Sequence, residues 1–431
     1  MYYLSATLLY MQVLIKQATI ISPSSPLNGQ TKDILVSNGI IAKIADNIEE
    51  PATTVIAQPG LHASIGWMDV FASFGDPGFE YKETIESGAA AAAAGGFTDV
   101  IAIPNTSPVV QNKAQVEYII QKSKSLPVTV HPAGAVTKNT EGKDLAEMHD
   151  MHLSGAIAFT DGTHTVQSSG LLLKALQYVK SFNGTIIQVP DDKSIGSNGL
   201  MNEGIVSTQL GLPGKPAIAE ELMVARDIKL VRYTDSKVHF TGIASAKSLE
   251  YIKRAKDGGI AVSCSVTPHQ LFFTDEDVRG YDTNLKVNPP IRTEADRQAL
   301  INAVADGTID CIASHHFPQN WDSKTCEFEY AKEGMIGLET LFGVLGITVM
   351  GYWSLEKCID ALSAAPRKIF GLQVPEIKEG AEANLTLFNP ATEYIFEESM
   401  IRSKSKNSPF IGRQLKGKVV GIINKGQSAI N

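Results

Sequence analysis

Five side chains in this sequence have the donor atoms to gather around a metal ion: Asp161, His164, Asp191, His269 and His315. Carboxylate and imidazole are ligands that zinc accepts, and a catalytic zinc takes about three protein ligands plus one open water position. None of the five stands in a tight ligand spacing such as H-x-H or H-x-x-x-H, so a centre would have to be assembled from distant segments. His315 and His316 are adjacent in IASHHFPQ. Adjacent strand residues face opposite sides, so His315 is expected inward and His316 is expected to serve structure. Asp161 precedes glycine in FTDG, a common setting for a turn-forming aspartate. Asn105 in PNT and Asn288 in VNPP follow strand-like runs, and their plain role is to hold the next loop by backbone hydrogen bonds.

The elements that must position these residues follow from hydrophobic patterning. TDVIAIP, VTVHPAGAV, GAIAFTD, GTIIQVP, KVHFTGIAS, GIAVSCSV and GTIDCIAS read as buried strands. Amphipathic segments such as NKAQVEYIIQKSKS, SLEYIKRAKDGG and EADRQALINAVADG lie between them. Apolar strands separated by helices predict a parallel sheet, and about eight such units predict a closed (β/α)8 barrel of the TIM type. Chemistry in such a barrel sits at the C-terminal strand ends. Both chain ends are β-rich: VLIKQATII and DILVSNGIIAKIA, with an Asn38-Gly39 hairpin signal, and NLTLFNP and GKVVGIINKG near the end. They predict a small β-sandwich built from residues 1–60 and 373–431 around a barrel of residues 61–372.

A chain of 431 residues is long enough for both units. A net charge of −8 without a basic run argues against nucleic acid. Cys264, Cys311, Cys326 and Cys358 are scattered and form no C-x-x-C pair, which fits a reducing, cytoplasmic setting. No apolar run has the length of a membrane helix. The opening MYYLSATLLYM lacks a basic start and an A-x-A cleavage site, so it does not read as a signal peptide. Folded-looking sequence begins at Met11, a second candidate start.

The stretch from Gly60 to Pro108 carries the frame Gly66, Asp69, Phe71, Ser73, Gly75, Asp76, Pro77, Gly78. It resembles the first strand, loop and helix of the dihydroorotases, metal-dependent barrel enzymes of the cyclic amidohydrolase family. Their frame reads roughly G-x-x-D-x-H-x-H-x-R-x-P-G. PNTSPV from Pro104, AVTKNTEGKDLAEMHDM from Ala135, NEGIVSTQLGLPGKPAIAEELMVARDI from Asn202, KVNPPIRTEADRQAL from Lys286 and GMIGLET from Gly334 extend the likeness over nearly the whole chain. The match is to the type that associates with aspartate transcarbamoylase.

That resemblance implies a two-zinc centre, and its positions carry over individually. The two strand-one histidines are Phe71 and Ser73, the strand-four acid is Asp161, and the strand-five and strand-six histidines are Val189 and Gly242. His315 stands where the catalytic strand-eight aspartate is expected, and Gln319 replaces a further histidine. The substrate-gripping arginine is Gly75. Of six ligand positions only Asp161 remains, as a lone remnant. Asn105 and Asn288 match positions that contact the pyrimidine ring, and His269 lies in a VTPHQ match. Without zinc the attacking water keeps a pKa of ~15 rather than ~7, so no hydrolysis and no cofactor are expected.

Asp76-Pro77-Gly78 is expected to turn, Ala89–Ala94 to pack a helix on the barrel, and Gly95-Gly96 to end it. Selective loss of ligands with connecting segments kept predicts a pseudoenzyme. Its expected role is a non-catalytic assembly partner of aspartate transcarbamoylase in pyrimidine biosynthesis, itself homo-oligomeric. The alternative is an active dihydroorotase or other ring-amide hydrolase with zinc in an altered centre. A third reading has the vacated, more apolar pocket bind a planar small molecule.

Overall fold

Eight parallel strand connections close on themselves in the structure, a computed structural model that describes residues 12–431. The opening segment with its two candidate starts lies outside those residues. Strands one to three of the barrel, Trp67–Ala72, Phe97–Ala102 and Thr129–Pro132, pair in parallel. Strands five to eight, Ile186–Gln188, Val238–Phe240, Val262–Val266 and Cys311–Ile312, form a second parallel set. GAIAFTD, expected as strand four, contributes Phe159, which bridges Gly134 on one side and Ile186 on the other. A parallel bridge from Ala72 to His316 completes the ring.

The closing seam depends on a buried carboxylate. Asp69 on strand one is fully buried and accepts from Ser314, from the backbone N–H at 2.6 Å and from the hydroxyl at 2.8 Å. Burial pushes the Asp69 carboxyl up, opposed by the Ser314 bonds. Ser73 N donates to the His316 carbonyl at 2.8 Å just above. At the other end of the barrel, Arg367 donates to the Gly66 carbonyl at 2.6 Å and to Asp99 at 2.5 Å, and His131 meets the same carboxylate at 2.9 Å.

Helices cover the outside because each turns an apolar face to the strands. Ile85–Ala94 starts at a Thr84 cap with Ser87 returning the bond, and its alanines let it lie close to the sheet. It ends at Gly95, where a Cβ would meet the Leu338 carbonyl at 2.3 Å; only glycine fits that approach. Inside the barrel Met68, Val70, Phe71, Ile101, Ile103, Ile187 and Val189 form a separate apolar cluster.

The two chain ends meet in one eight-stranded sheet. Its path runs Gln427–Ile430, Gln414–Asn424, Leu385–Ile395, His62–Ile65, Gln12–Ile21, Thr31–Ser37, Ile40–Ala45, with Thr54–Ile56 beside Gln12–Ile21. The hairpin at Asn38-Gly39 forms with both residues left-handed, φ 52° and 79°. His62–Ile65 lies past residue 60 yet belongs to this sheet, leading straight into strand one. Among the described residues no helix is long and apolar enough to cross a membrane.

Replacing Asp69 with alanine strands the Ser314 donors in the seam, and a loss of about 2–4 kcal/mol of stability is expected. Guanidinium unfolding checks it. An unchanged midpoint would mean that the seam closes without this carboxylate.

Candidate functional site

The residues carried at the strand ends converge on the barrel mouth, and aromatic rings fill its centre. The Phe71 ring lies 4.6 Å from the His315 imidazole, tilted 34°. Phe317 stands beside both, at 5.9 Å from Phe71 and 6.2 Å from His315. Val189 packs in the same cluster as Phe71. Gly242 makes room for the imidazole: a Cβ there would meet His315 Cε1 at 2.6 Å, and its φ is +71°. The strand-six position that carries a family imidazole is thus empty of side chain, and a ring from strand eight occupies the space. His315 is left-handed at φ 43°, a conformation uncommon outside glycine.

Hydrogen bonds link His315 to the strands beside it. Ser265 Oγ donates to Thr241 Oγ1 at 2.8 Å, and Thr241 Oγ1 lies 2.8 Å from His315 Nε2. Ser265 Oγ is also 3.1 Å from His239 Nε2, whose Nδ1 meets Ser263 at 2.8 Å. Burial holds His315 well below the ordinary histidine value, with the nearby His269 and His239 adding to it. Burial likewise brings His239 and His269 down to about 3. All three are neutral near pH 7.

The other candidates are engaged elsewhere. Asp161 is buried, and both its oxygens serve Thr137: one accepts from the backbone N–H at 2.9 Å, the other from the hydroxyl at 2.5 Å. The chain does turn here, with His164 N donating to the Asp161 carbonyl at 3.1 Å, while the Asp161 carboxylate ties strand four to the loop after strand three. Burial raises it to about 6 against those bonds. Asp191 pairs with Lys215 Nζ at 3.0 Å, and the same ammonium donates to Asn288 Oδ1 at 2.9 Å. Asn288 thus meets a lysine, not the backbone cap expected of it. Asn105 Nδ2 donates to the Asp161 carbonyl at 3.1 Å. His164 is exposed and meets Thr140 at 3.0 Å, away from the mouth. His269 is buried with His315 and Asn288 around a cavity of about 40 Å3. His316 points the other way, accepting from Gly337 N at 3.2 Å and lying 3.4 Å from Glu83.

Those donors do not fit a zinc centre. Phe71, Val189 and Gly242 have nothing to coordinate with, and both Asp161 oxygens already accept from Thr137. Among the described residues no three His, Cys, Asp or Glu side chains come together as a metal site. The remaining 40 Å3 suits about one water and is far below the several hundred Å3 of a small-molecule pocket. Outside it a cleft of about 830 Å3 opens between the strand-end loops, with Ser73, Asn105 and Gln319 in its wall. Gly75 adjoins it at φ +64°, with Phe79 O 2.9 Å from where a Cβ would stand, so no side chain projects there.

A family model described as dihydro-orotase-like matches residues 65–248. The chain is 41% identical over 420 residues to a dihydroorotase of Citrifermentans bemidjiense, covering 97% of this chain and 99% of that one. It is 40% identical over 422 residues to a dihydroorotase of Syntrophus aciditrophicus, with the same coverage. The chain belongs to the dihydroorotase family. Among solved structures, L-hydantoinase (dihydropyrimidinase) from Arthrobacter aurescens superposes with a TM-score of 0.83 at 22% identity, over 97% of this chain and 96% of that one. That likeness shows that the two chains share a fold. Within this family frame the mouth is filled by rings.

Several residues that build the mouth had no reading in the sequence. His239 and Thr241 alternate on one strand and Ser263 and Ser265 on the next, with His239 paired to Ser263. That alternation was a legible signal of one shared polar face. Lys215 and Arg292 were not legible, because their partners lie on distant loops: Arg292 donates to Asn202 at 2.9 Å and to the Lys215 carbonyl at 2.7 Å.

Two outcomes follow. Gly242→Ala is expected to cost about 2 kcal/mol, from overpacking and left-handed strain, with part of the cost recovered in a Gly242→Ala/His315→Ala double variant. A coupling of at least ~1 kcal/mol is expected, and simple additivity would show that the imidazole does not fill that space. Asp161, raised from 3.8 to about 6, binds its proton more tightly when folded. Its stabilising contribution is complete below about pH 4 and is lost as pH rises through 6. Relative to Asp161→Asn, the native chain should therefore lose roughly 2–3 kcal/mol between about pH 4 and pH 7. Urea unfolding of both proteins across that range measures it, and a flat difference would contradict it.

Proposed function

We propose that this member of the dihydroorotase family is non-catalytic and acts in pyrimidine biosynthesis as an assembly partner of aspartate transcarbamoylase. The observation that carries the first half is the Phe71–His315–Gly242 packing. An apolar ring stands at one expected ligand position and a glycine at another, and the buried imidazole packed between them is hydrogen-bonded to Thr241. Hydrolysis of a ring amide needs a nucleophilic water and a base to take its proton. The filled mouth supplies neither.

The second half rests on what is preserved. The segment NEGIVSTQLGLPGKPAIAEE keeps a family-like sequence and is fixed by the Lys215, Asn202 and Arg292 contacts, although no chemistry requires that loop to keep its shape. A surface held in place without a reaction to serve suits a binding role. The competing reading is an active dihydroorotase with an altered centre, favoured by the likeness, at about 40% identity, to proteins named dihydroorotase.

The test uses the purified chain, cleared of host dihydroorotase and supplied with zinc. No dihydroorotate turnover, no zinc retained after gel filtration at a stoichiometric level, and co-elution with the organism's own transcarbamoylase are expected. Turnover that disappears in Asp161→Ala would establish the altered centre instead. Separate elution of the two proteins at micromolar concentration would sink the assembly role.

A further inference from the structure

A separate cavity of about 150 Å3 lies away from the barrel mouth, between the helix Leu341–Thr348 and the paired strands Leu385–Ile395 and Gln414–Asn424. It shares no wall residue with the outer cleft or with the inner cavity. Glycines leave this space open. A Cβ on Gly343 of the helix would stand 2.6 Å from the Tyr394 hydroxyl. One on Gly417 of the strand, at φ +94°, would stand 3.0 Å from the Phe342 ring. A side chain at either position would intrude on its neighbour, so neither fills the gap. The wall is instead made of Phe342, Tyr394, Phe396, Met400 and Val419. An apolar cavity of this size accepts one benzene-sized ring.

Polar groups sit at its edge and are few. The Arg402 guanidinium and the Lys418 ammonium belong to exposed residues and make no ion pair or side-chain hydrogen bond among the described residues. Lys418 Nζ lies over the Tyr394 ring, 5.8 Å from its centroid, which sets the charge beside the opening. The Tyr394 hydroxyl likewise has no hydrogen-bond partner among the described residues. Burial pushes that phenol up to about 12, so it keeps its proton and can donate. Glu339 is the one acidic side chain of the wall, and it is turned to the backbone. One of its oxygens accepts from the N–H groups of Arg402 and Ser403, and the other is buried. Asn431 closes the remaining side, its Nδ2 donating to the Ala94 carbonyl at 2.9 Å. An apolar pocket with a few polar groups at one end fixes both the body and the orientation of a ligand. Here the body is a ring, and the polar end offers two cations and a hydroxyl donor.

We propose that this cavity binds a small carboxylate built on a single flat apolar ring, with the ring against Phe342 and Phe396 and the carboxylate at the rim, facing Arg402 and Lys418 and accepting from the Tyr394 hydroxyl. The site stands apart from the barrel mouth, and the inference holds whether or not the mouth is catalytic.

Isothermal titration of the full chain with four probes tests it. Benzoate has the ring and the carboxylate, benzyl alcohol the ring without charge, benzylamine the ring with the opposite charge, and acetate the carboxylate alone. Benzoate is expected to bind roughly ten-fold more tightly than each of the others, as two exposed ion pairs and one hydrogen bond allow. Arg402→Met and Lys418→Met should each weaken benzoate about three-fold and leave benzyl alcohol unchanged, because both side chains are exposed and only the charge is lost. The melting temperatures of the two variants without ligand should match that of the native chain. No benzoate binding at millimolar concentration overturns the site. Equal binding of acetate reduces it to surface charge, and equal binding of benzyl alcohol or benzylamine removes the cations from it; any of these results overturns the proposal. Benzoate binding that is undiminished in both variants places the ligand elsewhere on the molecule and overturns it as well.

Discussion

The contact between the Phe71 ring and the His315 imidazole governs the barrel mouth. Protein interiors are close-packed, and here side chains fill the space between the barrel strand ends. Burying a phenylalanine contributes about 1.5–3 kcal/mol, and a favourable ring pair adds ~0.5–1.5 kcal/mol. The substitutions at the mouth therefore depend on one another. Phenylalanine at 71 supplies bulk, histidine at 315 completes the stack, and glycine at 242 removes the side chain that would collide with it. Changing one alone creates a clash or a hole.

Polar groups inside the barrel obey the same constraint. A buried histidine is tolerable when neutral and hydrogen-bonded, and the string His315–Thr241–Ser265–His239–Ser263 meets both conditions. Asp161 is likewise engaged: its carboxylate is directed at Thr137 and braces two loops.

Around the filled centre, the loops keep a defined form through ionic contacts of their own. Lys215 joins Asp191 to Asn288 across the mouth, and Arg292 secures the neighbouring Asn202 segment. Those contacts preserve an outer cleft of about 830 Å3 beside an inner cavity of about 40 Å3. The inner position is closed to substrates, while the outer surface stays shaped and charged. Function on this fold resides in the site and not in the architecture.

Much of this was legible in the chain. Period-two and helical patterning exposed the alternating strands and helices, Asn38-Gly39 announced its hairpin, and Gly95 marked the end of the first barrel helix, because these features are local. The family frame likewise showed, without coordinates, that Phe71, Val189 and Gly242 cannot bind metal, since donor chemistry is a property of the residue type. GAIAFTD, read as a strand, is a short one: Ala158, Phe159 and Thr160 carry its backbone bonds to the neighbouring strands. Tertiary structure alone decided where Asp161 spends its oxygens, that Lys215 and not a backbone group meets Asn288, and that the vacated pocket is closed. Each of those outcomes joins residues tens to hundreds of positions apart. Sequence states which groups are available; only the folded geometry determines which of them meet, and therefore which remain free to act.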